Sequence, residues 1–577
     1  MYTGIAASKG IVLGKAYVYK KGKLSIDKDT IPPEKIATEN EKLNEALKLT
    51  KEQLLSIRNK ASLELDEDNA EIFDAHMMIL EDPTFLEDIK ELIEKERIGA
   101  AYAVEKIIHK FIVFFSSMEN DYLKDRIADI KDVGERLIGN ILGVAANSLP
   151  DLTEKVVIIA HDLTPSDTSS LDKTHILGFA TNVGSKTSHT AIMARSLEIP
   201  AVLGLGDILD KVKNDDYVIL DGIEGKITVN PDDDQVNMYL EKLKVYNESR
   251  INLHKFINLP AVTLDGREVE VAANIGTPRE LPAVIKNGGE GIGLYRTEFL
   301  YMDRTSLPDE EEQFLSYKEV VQGLNGKPVI IRTLDIGGDK NIPYLDLPEE
   351  INPFLGWRAI RICLDRPDIF RTQLRAILRA SAFGKVRIMY PMISSVEEVI
   401  KANKILDEAK QELTREGIDY DKNIEVGIMV ETPAAAITAD ILIEEVDFFS
   451  IGTNDLCQYV LAVDRMNERV SHLYLPFHPA ILRLIKNIID VSHKHGKFTG
   501  ICGEMAGDPM ASIILIGLGI NELSMSPSSM LTIKKNIRNI SYEQAKEIAE
   551  YSLTLSKAEE ILNYVKESAA SFLRQED

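Results

Sequence analysis

From about Pro33 to Gly143 the apolar residues recur at helical spacing, as in Leu43, Ala46, Leu47 and Leu54, and on either side of that stretch the period changes. The stretch is rich in Glu, Lys, Leu and Ile, with Pro83 and Gly99 among its few breakers, and it predicts a bundle of long helices over residues 30–143. Ahead of it a short strand is expected from roughly Ile11 to Tyr19. Behind it, from about Val156, come the β-branched runs VVIIA, ILGFAT, IPAVLG and YVILDG, then GKITVNP. With helices between them these runs predict an α/β domain, residues 1–22 plus 145–231, that closes over the first strand and carries the bundle as an insertion. After Pro231 the segment DDDQVNMYLEKLKVYNESRINLHKFINL is polar and helical without a breaker. It reads as a linker helix over 232–260, a place where one half can move relative to the other.

From Ala261 to the end, strand and helix alternate with no break in composition. The strand candidates are VEVAANI, GIGLYR, PVIIRTL, VRIMYPM, EVGIMVE, DFFSIGTND, FTGICGE and NELSMS. Eight parallel strands with intervening helices predict a (β/α)8 TIM-type barrel over 261–577, a fold whose active site lies where the strands end. Polar residues fall at those ends: Arg296 after GIGLY, Arg332 after PVII, Glu431 after EVGIMV, Asn454 and Asp455 after FFSIGT, and Cys502 after FTGI. Singly, each has a plain explanation as an ion pair or strand-end cap, but their shared position points to one site. The expected fold class is therefore multidomain α/β, an α/β domain with an inserted helical bundle followed by the barrel.

Composition narrows the setting. A chain of 577 residues, 44% hydrophobic and 28% charged, suits an ordinary globular protein of several domains. The net charge of -25 argues against nucleic acid or an anionic membrane as the main partner, and leaves a basic partner or simple solubility. No apolar run approaches membrane-spanning length, so no membrane insertion is expected. The start, MYTGIAASKG, lacks the apolar core of a signal peptide, and the expected location is cytoplasmic. Cys363, Cys457 and Cys502 have no metal-type spacing, which fits a reducing compartment with room for one reactive thiol.

The candidate chemistry centres on Gly184 to Arg195, GSKTSHTAIMAR. A turn at Gly184-Ser185 precedes the hydroxyls of Thr187 and Ser188, then His189, then apolar residues at helical spacing. His189 at a helix start lies where free N–H groups and the helix dipole favour an anion, and a neutral imidazole can attack phosphorus. Thr187, Ser188 and, from the DLTPSDT segment, Thr168 can then hold the phosphoryl oxygens. The plainer alternative is that Ser188 caps the helix and His189 is a satisfied core histidine. In the bundle, Glu67, Asp68, Glu71 and Asp74 stand near Phe73, Met77 and Met78, either as a solvated face or as a docking surface for a basic protein. His76 reads as a helix-surface or interface residue, and His478, between two prolines, as a loop histidine.

At the barrel mouth, Arg296, Arg332, Arg358 and Arg465 offer planar donors for a phosphate and a carboxylate on one small substrate. Glu431 and Asp455 are hard oxygen ligands of the kind Mg²⁺ takes. Phosphoryl transfer needs both, because positioning and charge stabilisation dominate it. Cys502 adds a proton source. A substrate with phosphate and carboxylate that loses the phosphate and then needs a proton on carbon is phosphoenolpyruvate (PEP), giving pyruvate.

The run GSKTSHTAIMARS, together with DFFSIGTNDLCQYVLAVDR from Asp447 to Arg465, resembles the two signatures of the PEP-utilising enzymes, and most closely the enzyme I family of the PEP:sugar phosphotransferase system. The likeness extends over essentially the whole chain, and the second signature is long and specific. It implies that His189 carries the phosphoryl group on Nε2, that Arg296, Arg332, Arg465, Asn454 and Asp455 bind substrate, that Glu431 and Asp455 hold Mg²⁺, and that Cys502 gives the proton. It further implies that the bundle docks the phosphocarrier protein HPr and that the protein is a homodimer through its barrel. One departure is Ser185, where the family usually has a second glycine; if that position needs φ > 0, serine costs about 1 kcal/mol. Rival readings are a pyruvate phosphate dikinase or PEP synthase, which need a nucleotide-binding domain for which no P-loop pattern is present, a Ser188–His189 hydrolase, and a non-catalytic scaffold of the same fold.

Overall fold

At the amino end the chain forms three strands in quick succession, β1 (Tyr2–Thr3), β2 (Ile5–Ser8) and β3 (Ile11–Tyr19). Only β3 is long enough to show a period in the sequence. The computed structural model describes residues 1–577 except 21–24, 65–66, 117–120, 145–153, 165–166, 168–173, 186–187, 197–198, 303, 305, 339–342, 346–349, 466, 468 and 574–577. The chain divides into two units, Met1–Glu248 and Ser249–Asp577.

In the first unit the helical stretch becomes helices Ile36–Glu64, Glu67–Glu81, Pro83–Glu91, Ala100–Ser116 and Asp121–Leu142. Their apolar stripes meet in one core that includes Leu43, Leu54, Phe73, Phe85, Ile89, Val104 and Leu137. Burying each such side chain is worth roughly 1.5–3 kcal/mol. Helix starts are capped by carboxylates, one local and one from another helix: Asp82 accepts from the Phe85 N–H at 2.8 Å, and Glu39 of the first helix accepts from the Ala100 N–H at 2.9 Å. His76 is neither the helix-surface nor the interface residue that its context suggests. It is fully buried, its Nε2 lies 3.2 Å from Asp129 Oδ1, and the Phe73 ring meets it edge-on at 5.5 Å. A carboxylate contributed by a helix far along the chain gives the ring a polar partner, and sequence period cannot reveal that.

The chain then returns to the sheet as β4 (Val156–Ala160), β5 (Ile176–Thr181), β6 (Ala201–Leu203), β7 (Tyr217–Asp221) and β8 (Lys226–Val229). The order is β1-β8-β7-β3-β4-β5-β6-β2. β3 and β4 pair in parallel with Lys15 opposite Val156, so the bundle is spliced between neighbouring strands. Both faces of the sheet are covered, which is why β4 is apolar at every position. The polar segment after Pro231 is one helix, Asp233–His254, and the division between the two units falls within it. Lys242 on this helix bonds Asp221 Oδ2 at 3.1 Å and pairs with Glu224, tying the helix to the β7–β8 turn.

In the second unit all eight strand candidates form: β9 (Glu270–Ile275), β10 (Gly291–Arg296), β11 (Val329–Arg332), β12 (Val386–Tyr390), β13 (Glu425–Val430), β14 (Phe448–Ile451), β15 (Phe498–Ile501) and β16 (Glu522–Met525). They pair in parallel and close into a barrel, β16 joining β9. Outer helices have sharply divided faces. Pro367–Ser381, with proline at its first turn, buries Ile369, Phe370, Leu374 and Ile377 and turns Arg375 and Arg379 outward to Glu310 and Glu416. Leu294, Ile330, Met389, Met429 and Phe448 fill the interior and meet Cys502 near the top.

Where the strands begin, the barrel floor is polar. Glu270 of β9 and Glu522 of β16 are register partners, and Glu522 is 1% exposed. Gly293 and Gly500 leave the carboxylate room, since a Cβ at either would lie 2.5 or 2.8 Å from Glu522 Oε1. The cation opposing both acids is Arg387 of β12, whose Nε donates to Glu425 Oε2 at 2.5 Å and whose guanidinium stands 4.9 Å from the Phe498 ring centre. Burial, then the charge of Glu270, pushes Glu522 well above the carboxylate range, and burial raises Glu270 as well. Among the described residues no helix is long and apolar enough to cross a membrane.

Candidate active site

Each barrel strand delivers a backbone end to one rim, and the residues that follow are free to be polar because they need not pack on both sides. Arg296 and Arg332 are the last residues of β10 and β11. Glu431 follows β13, Asn454 and Asp455 open the helix Thr453–Leu461 after β14, and Cys502 follows β15. Together with Arg358 and Arg465 they line one cavity of about 310 Å³, so every barrel residue singled out from the sequence is at the same site. Glu298, Asp335 and Glu504 also line it and were missed, as was Tyr459, which bonds Arg358. Their signal was weak: Asp335 lies three residues beyond Arg332 and Glu298 two beyond Arg296, both outside any period.

The guanidiniums are held by carboxylates. Arg332, 6% exposed, donates from Nη2 to Glu298 Oε1 at 2.7 Å, and its Nη1 forms an ion pair with Asp335 Oδ2 at 3.0 Å. Arg358 donates from Nη2 to Asp335 Oδ1 at 3.0 Å and Asp455 Oδ2 at 3.3 Å, and from Nη1 to the Tyr459 hydroxyl at 3.2 Å. Burial alone would weaken both charges, but the acids beside them hold both guanidiniums firmly protonated. Arg465 donates from Nη1 to Asp455 Oδ1 at 3.2 Å. Arg296, half-buried, makes no ion pair among the described residues. Asn454 Oδ1 accepts from the Glu504 N–H at 2.9 Å, which fixes which way its amide faces.

The acids are crowded. Glu431, 2% exposed, accepts from the Met392 N–H at 2.6 Å, and Met392 adopts a left-handed φ of 58° to aim that group. Burial, then the charges of Asp455 and Asp335, pushes the Glu431 carboxyl up to about 8. Such excess negative charge on hard oxygens is what a divalent cation relieves, so Glu431 and Asp455 fit Mg²⁺. Among the described residues no three His, Cys, Asp or Glu side chains converge to hold a metal by themselves. Two protein carboxylates, with water and substrate oxygens for the rest, is the arrangement that fits. Cys502 is 4% exposed, its Sγ 3.7 Å from the Ile451 carbonyl, and burial pushes its thiol up to about 11. It therefore carries its proton at neutral pH.

In the first unit, His189 is the first residue of the helix His189–Ser196; its side chain lies outside the described residues, as do Thr168 and Thr187. The Ser188 hydroxyl donates to the Ser185 carbonyl at 3.0 Å and accepts from the Ala191 N–H at 3.4 Å, so Ser188 does cap the helix. Thr190 donates to the Leu163 carbonyl at 2.9 Å and to Asp162 Oδ1 at 3.3 Å. Gly184 takes φ 126° and Ser185 does not take a positive φ, so the backbone penalty expected for serine is absent. The side chains of Glu67, Asp68 and Glu71 are outside the described residues, although their backbones belong to the helix Glu67–Glu81. Asp74 is paired with Arg58 at 3.3 Å.

Fold and site together define a (β/α)8-barrel enzyme that handles a small, multiply charged anion. Family profiles described as PEP-utilising enzyme match in three places: the N-terminal domain at residues 3–126, the mobile domain at 152–225 and the PEP-binding domain at 250–542. The chain is 51% identical over 563 residues to phosphoenolpyruvate-protein phosphotransferase of Geobacillus stearothermophilus, covering 98% of this chain and 97% of that one. It is 50% identical over 564 residues to the protein of the same name from Staphylococcus carnosus, covering 98% of each. A solution structure of an Enzyme I (nEIt) protein is 47% identical, covering 43% of this chain and all of that one at a TM-score of 0.38. The chain belongs to the PEP-utilising enzymes and, within them, to the phosphoenolpyruvate-protein phosphotransferases, a family of transferases.

Proposed function

We propose that the protein moves the phosphoryl group of PEP to Nε2 of its own His189 and then to a histidine of the phosphocarrier protein HPr, releasing pyruvate, as the first step of phosphotransferase-system sugar uptake. The observation that carries this reading is the barrel mouth, where four arginines, paired acids and a protonated thiol surround one cavity. Arg296, Arg332 and Arg465 bind the phosphate and carboxylate, with Arg358 and Asn454 completing the cradle. Bound Mg²⁺, held by Glu431 and Asp455, would neutralise charge on the phosphoryl oxygens. The bond from phosphorus to the enol oxygen breaks as that to His189 Nε2 forms, and the enolate takes a proton on carbon from Cys502, whose thiolate is reprotonated by solvent. Thr168, Thr187 and Ser188 support the phosphohistidine. Its P–N bond then breaks as the carrier's histidine attacks.

The carrier's docking face is assigned to the helix Glu67–Glu81, whose sequence carries Glu67, Asp68, Glu71 and Asp74 and whose exposed Met78 suits the centre of such a face. The exposed Ile437 and Ile441 on the outer helices of the barrel suit a homodimer contact through that domain. Three free cysteines suit the cytoplasm. The test is incubation with labelled PEP and Mg²⁺ without nucleotide. Acid-labile label is expected on His189 and lost in His189→Ala. Undiminished label in that variant ends the assignment.

A further inference from the structure

Arg332 is a long side chain with many rotamers, and a guanidinium is useful to a reacting phosphoryl group only if its plane is fixed beforehand. Two carboxylates fix it, and they are not equivalent. Asp335 is divided between Arg332 and Arg358, at 3.0 Å from each. Glu298, 1% exposed, meets Arg332 at 2.7 Å from the other side. The Nε–H of Arg332 is buried and has no acceptor among the described residues, so the two carboxylates are what orient the group.

Glu298 is itself set by its surroundings. It lies in the short turn Thr297–Leu300 that directly follows Arg296. The Thr297 hydroxyl donates to the Arg332 carbonyl at 2.9 Å, and the Gln373 amide donates to that hydroxyl at 3.0 Å while its oxygen accepts from the Leu334 N–H at 2.8 Å. Phe299 fills the space beside Gly276, where a Cβ would come within 2.6 Å of its ring. Three consecutive residues thus supply one cavity-lining arginine, a tie to the Arg332 backbone and a tie to its side chain. We infer that Glu298 is a positioning residue for phosphoryl transfer, holding the Arg332 guanidinium in the plane that the moving phosphoryl group requires. The inference rests on Arg332 being a substrate ligand.

The sign of its effect is distinctive. A carboxylate beside the anion site opposes binding of PEP in the ground state while improving the alignment that counts in the transition state. Glu298→Gln keeps size and one acceptor but removes the charge, and should lower kcat for PEP-dependent self-phosphorylation on the order of 10- to 100-fold with KM for PEP at or below the wild-type value. Rates are taken per phosphorylatable site, so a misfolded fraction does not count. In an Arg332→Lys background, itself impaired, the same change should cost less than about threefold, because the group it positions is gone. Normal kcat in Glu298→Gln overturns the inference, as does a full loss on top of Arg332→Lys or a KM that rises more than kcat falls. Normal kinetics in Arg332→Lys would instead remove Arg332 from the substrate site.

Discussion

Cys502 shows how far burial alone can define a role. Its thiol is held up at about 11 by desolvation, which makes it a poor nucleophile and suits the proposed role of proton donor. Cys502→Ala should slow turnover on the order of 10²- to 10⁴-fold while PEP still binds, which separate measurements of binding and pyruvate release will read. Loss of binding with normal turnover of bound substrate would contradict the donor role. The residue type and strand-end position of Arg296, Arg332, Glu431, Asp455 and Cys502 were legible in the sequence because a barrel strand has a defined end. The partners were not. Nothing in the spacing of Asp335 says that its two oxygens divide between two guanidiniums, and nothing in the DAHMM context of His76 says that Asp129 waits for it inside the bundle.

At the level of elements, the barrel was readable because strands buried on both faces appear as unbroken apolar runs, as residues 426–430 of β13 do. β1 and β2 escaped notice at two and four residues, too short for any period. His478 proved more specific than a loop residue: its Nδ1 accepts from the Ala480 N–H at 3.1 Å and starts the helix Pro479–Lys494. The helix Glu67–Glu81 carries the proposed docking face. Glu67→Lys with Asp68→Lys should slow transfer to HPr and weaken its salt dependence, leaving self-phosphorylation at His189 unchanged. Equal loss in both half-reactions would indicate misfolding, and no change in either would return the stretch to a solvated face.

Across the whole molecule, the two units have separate cores, and the second carries a buried acid, Glu522, at its base. Because folding raises the Glu522 pKa above its unfolded value near 4.5, its contribution to stability is complete below that value and is lost as pH rises through the folded value. Each unit of upward shift amounts to about 1.4 kcal/mol. Glu522→Gln, a permanent copy of the neutral form, should therefore melt higher than wild type at pH 8, with the gap closing toward pH 5. Thermal melts of both proteins across that range check it; a gap that ignores pH would mean that Glu522 is ionised in the fold.

The same floor gives the protein a signal of its own. A neutral carboxylic acid has a carbonyl stretch at higher frequency than ionised carboxylates and backbone amides. A carboxylate in water is ionised at neutral pH, so acids that burial holds protonated, Glu431 with its carboxyl at about 8 and Glu522 raised well above the carboxylate range between Gly293 and Gly500, add bands to the infrared spectrum, and the floor band is the one that Glu522→Gln abolishes. That band belongs to the closed barrel and vanishes when it opens, so the unlabelled enzyme reports the integrity of its own barrel during turnover.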